Sequence, residues 1–190
     1  MQIKYGNQEL EFEINSKNIN KILRASEKEG MENPKKIIKS RLQSPLGTQP
    51  LKKMIQKKSP RELVLIVNDV SRPTPYEHML PPLLEILKEA GINKNQITFV
   101  IATGIHAPPT REQKLEILGR EIVENYEIIA HDPDKNLTQI GELSTGNDLY
   151  INKKVEAADF ILTTGVILPH YFAGFSGGRK SILPGVAARS

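Results

Sequence analysis

The chain has 190 residues, room for one domain or one domain with an appendage at roughly 100–200 residues per domain. Hydrophobic residues make up 38% and charged residues 25%, enough for a real core and against generic disorder, while five Tyr, five Phe and no Trp argue against a stacking platform for single-stranded nucleic acid. The net charge is +4, and much of the excess lies between Lys35 and Arg61, where it reads as a solvated helical face, with an acidic partner or phosphate ligand as the alternative.

Residues 1–14 read as two strands, Gln2–Tyr5 and Leu10–Ile14, around the turn signal Gly6-Asn7. Residues 18–58, rich in Lys, Asn and Ile, read as helical, with Asn33-Pro34 opening a helix over Lys35–Leu42, a break at Ser44-Pro45-Leu46-Gly47, and a short helix over 50–58. From Glu62 the pattern changes. The continuous apolar run Leu63–Val67 predicts a strand buried on both faces. A helix follows with Leu83, Leu84 and Leu87 on one face, Pro81 and Pro82 in its first turn, Tyr76–Leu80 as a kinked lead-in, and Gly91 as its stop. A second buried strand is expected at Ile97–Ala102, and a helix capped by Thr110-Arg111-Glu112-Gln113 comes next. Glu127–Ala130 is a further strand. Leu137–Leu143 and Leu149–Ile151 form a peripheral pair, and Phe160–Thr164 is another buried strand.

Strands alternating with helices imply an α/β fold: a parallel-sheet, Rossmann-like, three-layer domain over 61–190, with a small hairpin and helical appendage over 1–60. Ligands of such sheets bind beyond the carboxyl ends of the strands. Three strands are followed there by residues poorly suited to a core: Asn68–Pro75, Thr103–Thr110, and Gly165–Ser181. In a parallel sheet the three share one rim.

The third cluster carries Gly174, Gly177 and Gly178, whose consecutive N–H groups can form an anion nest, beside Arg179 and Lys180. Gly174–Ser181 nearly matches a phosphate-binding P-loop, but Arg179 stands where its last Gly should be, and a His and bulky residues precede the glycines. A nucleoside triphosphatase is therefore disfavoured. His106 and His170 titrate near neutral pH and can take and return protons; two such groups on opposite sides of a substrate are what inversion of a stereocentre needs. His78 and His131 read as structural. Asp69 can accept two ribose hydroxyls and Arg72 can grip a carboxylate or phosphate, or the two close their own turn as a local pair. Lys180 is either a phosphate contact or a covalent attachment point, and Arg179 beside it would disfavour its protonation if both face one cavity. With no Cys, thiolate chemistry and Cys-ligated metals are out. The polar start and the lack of an apolar run of 18 residues predict a soluble cytoplasmic protein, with no membrane and no nucleic-acid partner.

Together these clusters resemble the nickel-dependent lactate racemase family. The matching motifs are Asp69-Val70-Ser71-Arg72-Pro73-Thr74-Pro75, Gly104-Ile105-His106-Ala107-Pro108-Pro109-Thr110, and Pro169-His170 through Gly174-Phe175-Ser176-Gly177-Gly178-Arg179-Lys180-Ser181. The resemblance implies a nickel-pincer nucleotide, a pyridinium mononucleotide holding nickel through sulfur and carbon, bonded covalently at Lys180. It also implies His106 and His170 as paired acid/base residues, contacts to the cofactor from Asp69, Val70, Ser71, Arg72, Gly177 and Gly178, and a small 2-hydroxy acid as substrate. In the mechanism it implies, one His removes the hydroxyl proton while hydride passes to the cofactor, and the 2-keto acid takes hydride back on its other face. Val70 departs from a position often polar or His in that family. Family members are about twice this length, so a C-terminal domain, cofactor-making proteins and a nickel-ligating His beyond Ser190 are the implied partners. The 190 residues alone are expected to fold without turning over substrate. A non-catalytic nucleotide- or phosphate-binding module is the alternative.

Overall fold

A computed structural model of the chain describes residues 1–6, 8–23 and 28–189. The chain divides into two compact units, Met1–Glu32 and Asn33–Ser190. In the first, β1 (Gln2–Tyr5) pairs antiparallel with β2 (Gln8–Glu11), and a 3-10 turn covers Ser16–Asn18. The second strand therefore starts two residues earlier than its apolar residues indicate, because the register set by Tyr5 opposite Gln8 leaves a two-residue connection. Asn7 of the expected turn, and 24–27 of the expected helical stretch, lie outside the described residues. The described residues between Asn18 and Asn33 form no helix.

The second unit is built on four parallel strands. These are β3 (Leu63–Asn68), β4 (Ile97–Ala102), β5 (Glu127–Ala130) and β8 (Phe160–Thr163), in spatial order β5-β4-β3-β8. Between β5 and β8 an antiparallel pair, β6 (Leu137–Glu142) and β7 (Asp148–Asn152), is followed by the single turn α5 (Lys153–Glu156). Period-two alternation sorts the side chains of β3. Leu63, Leu65 and Val67 join Ile97, Phe99 and Ile101 of β4 in one apolar cluster beneath the helices α2 (Leu51–Lys58), α3 (Tyr76–Glu89) and α4 (Arg111–Asn125). α1 (Pro34–Gln43) adds Leu42 at its margin. Val64, Ile66 and Val100 face the other way, onto Ile151 of β7, Val155 of α5, and Val186 and Ala187 near the end of the chain. Helices, sheet and this second covering make the three layers. No helix among the described residues is long and apolar enough to cross a membrane.

The sequence expectations for α3 and β8 are corrected. Helix α3 begins at Tyr76, so Pro81 and Pro82 lie inside it rather than in its first turn. Each removes a backbone donor, but Tyr76 and Leu80 are only 2% exposed, and burying that first turn outweighs the lost hydrogen bonds. Strand β8 is not buried on both faces: Phe160 and Leu162 pack on the helical side while Ile161 and Thr163 are exposed. Its position at the sheet edge explains this. At α4 the expected cap is present, with Gln113 N–H donating to Thr110 Oγ1 at 3.3 Å and Thr110 N–H to Gln113 Oε1 at 2.9 Å. Asn33, by contrast, sits in the left-handed region and makes no side-chain cap; Pro34 alone marks the start of α1.

Candidate active site

The chain runs outward from β3 through β4 to β5, then returns to lay β8 on the opposite side of β3. The loops leaving β3 and β8 therefore diverge, which opens a crevice beyond the strand ends at the point where strand order reverses. A cavity of about 490 Å3 occupies that crevice, lined from all three clusters and from Pro184 and Gly185. Asp69, Ser71, Arg72, His106, His170, Gly177 and Lys180 all line it. Val70, Gly178 and Arg179 do not; Val70 and Arg179 are exposed.

The loop after β3 is tied down before it contributes any chemistry. Asn68 N–H donates to the buried Tyr76 hydroxyl at 2.6 Å, Asn68 Nδ2 to Thr74 Oγ1 at 3.0 Å, and Thr74 Oγ1 to Arg72 O at 2.9 Å. Thr164 Oγ1, at the end of β8, donates to Ile66 O at 2.9 Å and approaches the same Tyr76 hydroxyl at 3.5 Å. Tyr76 thus links the ends of β3 and β8. The sequence places it in a helix lead-in, and its only signal there is an aromatic residue that the following helix has to bury.

Asp69 is 6% exposed. Its Oδ1 accepts from Ser71 N–H at 3.0 Å and Ser71 Oγ at 2.6 Å, and its Oδ2 lies 2.6 Å from His106 Nδ1. The local Asp69–Arg72 pair entertained from the sequence does not form: Arg72 Nη1 donates instead to Ser71 O at 3.0 Å. The His106 side chain is about half exposed, held at its Nδ1 and open elsewhere.

His170 follows Ile167 and Leu168 into a two-residue strand, β9 (Pro169–His170), paired with β10 (Gly174–Phe175). The hairpin turns its Nδ1 back toward the chain, where it accepts from the N–H groups of Phe172 at 3.3 Å and Ala173 at 3.2 Å. Tyr171 stacks on its ring at 5.3 Å. Partial loss of water, then the charges of Lys180 and Arg72, push the His170 pKa below the ordinary imidazole value.

Lys180 sits in a 3-10 turn, Gly178–Ser181, entered through Gly177 and Gly178 at φ +79° and +54°. Only glycine adopts the first conformation without strain here, since a Cβ would also press on Val166 O at 3.2 Å. Loss of water, and next the Arg72 charge, lower the Lys180 pKa. The neighbouring cation is therefore Arg72, from the far loop, and not the adjacent Arg179 expected from the sequence. Gly104 N–H donates to Gly185 O at 2.9 Å, which joins the loop after β4 to the segment that follows Lys180. His131, 1% exposed, braces it from behind with Nε2 2.9 Å from Ala187 O. Among the described residues no three His, Asp or Glu side chains are grouped to hold a metal ion.

The pattern of the lactate racemase N-terminal domain matches residues 5–190. A lactate racemase of Thermoanaerobacterium thermosaccharolyticum is 38% identical over 193 aligned residues, taking in 99% of this chain and 44% of the relative. A lactate racemase of Lactiplantibacillus plantarum is 38% identical over 153, or 80% of this chain and 35% of the relative. The apoprotein structure of the Thermoanaerobacterium thermosaccharolyticum lactate racemase superposes with a TM-score of 0.82 at 37% identity, across 98% of this chain and 43% of that one. A Thermotoga maritima protein at 22% identity and TM-score 0.63 shares the fold. The chain spans less than half the length of the relatives it matches. Over almost its whole length it carries the family pattern, and it belongs to the lactate racemase N-terminal domain family.

Proposed function

We propose that this chain forms the cofactor- and substrate-binding N-terminal part of a racemase or epimerase of lactate-type 2-hydroxy acids. The observation that carries the proposal is the convergence of His106, His170 and Lys180 on one cavity at the reversal point of the sheet. Inverting a carbinol carbon by way of its ketone takes a hydride from the carbon together with a proton from the hydroxyl oxygen, and returns both with the hydride on the opposite face. Two imidazoles around one cavity suit the proton transfers near neutral pH. In this role they alternate: one takes the hydroxyl proton of the bound enantiomer, and the other serves the product. Arg72, whose charge reaches both Lys180 and His170, grips the substrate carboxylate or the cofactor phosphate.

A nickel-pincer mononucleotide fits the donor set. Its phosphate would be met by the Arg72 cation and by the glycine turn at Gly177 and Gly178, which leaves Lys180 for the covalent bond. A cavity of this volume suits a mononucleotide-sized ligand. The lowered Lys180 pKa favours the neutral amine needed for a covalent bond. When bound, the group supplies a reversible hydride acceptor for the substrate's C2. Its nickel would be held by the cofactor together with a His supplied from outside these 190 residues. Asp69 and Ser71 act beside it through His106, and Val70, outside the cavity lining, has no part in holding it. The remaining half of the protein excludes water from the cavity, and cofactor-making proteins load it.

The test is expression of the full-length protein with the cofactor-making proteins, followed by intact mass and by optical rotation of D- and L-lactate. A mass addition on Lys180 and loss of rotation from either enantiomer are expected. A loaded protein that racemises no 2-hydroxy acid refutes the proposal and favours a non-catalytic nucleotide-binding module.

A further inference from the structure

The two imidazoles of the cavity are held by opposite kinds of partner. His106 Nδ1 lies 2.6 Å from Asp69 Oδ2, while Oδ1 of the same carboxylate already accepts the backbone N–H and the hydroxyl of Ser71. A carboxylate so placed offers the ring only lone pairs, so Nδ1 must carry the proton and donate it. The Ser71 hydroxyl, 3.4 Å from Nδ1, is committed to Oδ1 and does not compete. His170 faces the reverse situation. Its Nδ1 is met by two backbone N–H groups, from Phe172 and Ala173, which can only donate. That nitrogen must be bare, and in the neutral ring the proton sits on Nε2.

We infer that the two imidazoles rest in opposite tautomers, His106 protonated on Nδ1 and His170 on Nε2, and that Asp69 is the positioning residue that sets the first. The nitrogens left for a ligand then differ: His106 offers a lone pair on Nε2 and His170 offers an N–H. The site is built as one acceptor and one donor, although the proposed racemisation is symmetric. The consequence for the proposed function, on which this role rests, is directional. A hydroxyl beside His106 can lose its proton to Nε2 at once, forming a new N–H bond there while Asp69 offsets the imidazolium charge. A hydroxyl beside His170 must wait until that ring has given up its own Nε2 proton.

Asp69→Asn tests the positioning role because Ser71 dictates how the amide sits. The Ser71 N–H and hydroxyl hold the amide oxygen where Oδ1 was, which turns the NH2 toward His106 Nδ1. An NH2 there can only donate, so the ring must move its proton to Nε2; loss of the correct tautomer on Asp→Asn is the known outcome when a carboxylate orients a catalytic His. Ser71→Ala removes one donor to Oδ1 and leaves Oδ2 with His106, so it should leave the tautomer unchanged.

The measurement is long-range 1H–15N correlation of the imidazole nitrogens in the cofactor-free full chain, above the ordinary His pKa. The rings are assigned by loss of one signal set in His106→Gln and in His170→Gln, among four His in all. Expected are a protonated Nδ1 and bare Nε2 for His106, the reverse for His170, a switch of His106 to Nε2–H in Asp69→Asn, and no switch in Ser71→Ala. A wild-type His106 protonated on Nε2, a His170 protonated on Nδ1, or an Asp69→Asn variant that folds with His106 unchanged overturns the inference. If Asp69→Asn does not fold, the wild-type and Ser71→Ala spectra decide it. No cofactor or substrate enters the measurement. A wrong tautomer with racemisation intact therefore sinks this inference alone, and correct tautomers without racemisation sink the proposed function alone.

Discussion

Replacing Tyr76 with Phe tests whether the rim of the cavity is anchored from beneath. The ring stays, so no cavity forms, and the only loss is a hydroxyl that accepts the Asn68 N–H at 2.6 Å and meets Thr164 Oγ1 at 3.5 Å. Asn68 is part-buried at the end of a strand whose other residues are buried, so its N–H has poor access to water. A buried donor left without a partner costs about 1–3 kcal/mol, and a loss of about 2 kcal/mol is expected. That is roughly a 30-fold shift of the folding equilibrium at 1.4 kcal/mol per factor of ten. With a urea dependence of about 2 kcal/mol per molar, the unfolding midpoint falls by ~1 M. Circular dichroism in urea reads it directly. A midpoint within ~0.2 M of wild type would mean that Asn68 finds another acceptor and that Tyr76 does not anchor the loop.

Two further perturbations probe the walls. In Gly185→Ala the added Cβ would collide with the Ser181 carbonyl, a backbone atom that cannot rotate away. Overpacking should cost about 2 kcal/mol and lower the melting temperature by ~4–8 °C; an unchanged melting curve would refute it. His131 is buried, and its pKa lies below the ordinary 6.5 because burial disfavours the charged ring. Between the folded and ordinary values the unfolded chain binds the extra proton, so stability is complete above about pH 6.5 and declines as pH falls through that window. His131→Gln should flatten this part of the melting-temperature profile, and an equally steep acid decline in the variant would assign it elsewhere.

Much of the rim was legible because chemistry and topology are both local in the sequence. The apolar runs at Leu63–Val67 and Ile97–Ala102 mark strands buried on both faces, and the Pro-containing segments after them can only lie at strand ends. Partnerships across the rim were not legible. Asp69 was weighed against Arg72, three residues away, yet its partner is His106, 37 residues away. Arg179 was weighed as the cation beside Lys180 because it is adjacent, but in a 3-10 turn adjacent side chains diverge, and Arg72 arrives from another loop. Strand β8 reads like a central strand because its apolar content does not say which strand stands at the edge. The covering of the second face by Val186 and Ala187 had no periodic signal, since the segment is neither helix nor strand for any length.

In the proposed function His106 and His170 serve one substrate from two sides of one cavity. Its most direct test is racemisation of D- and of L-lactate by loaded, full-length His106→Gln and His170→Gln proteins, with cofactor mass on Lys180 verified in each. Both variants should keep the cofactor and lose racemisation from either enantiomer, by ~100-fold or more for removal of an acid/base group. Either variant racemising at the wild-type rate would contradict it.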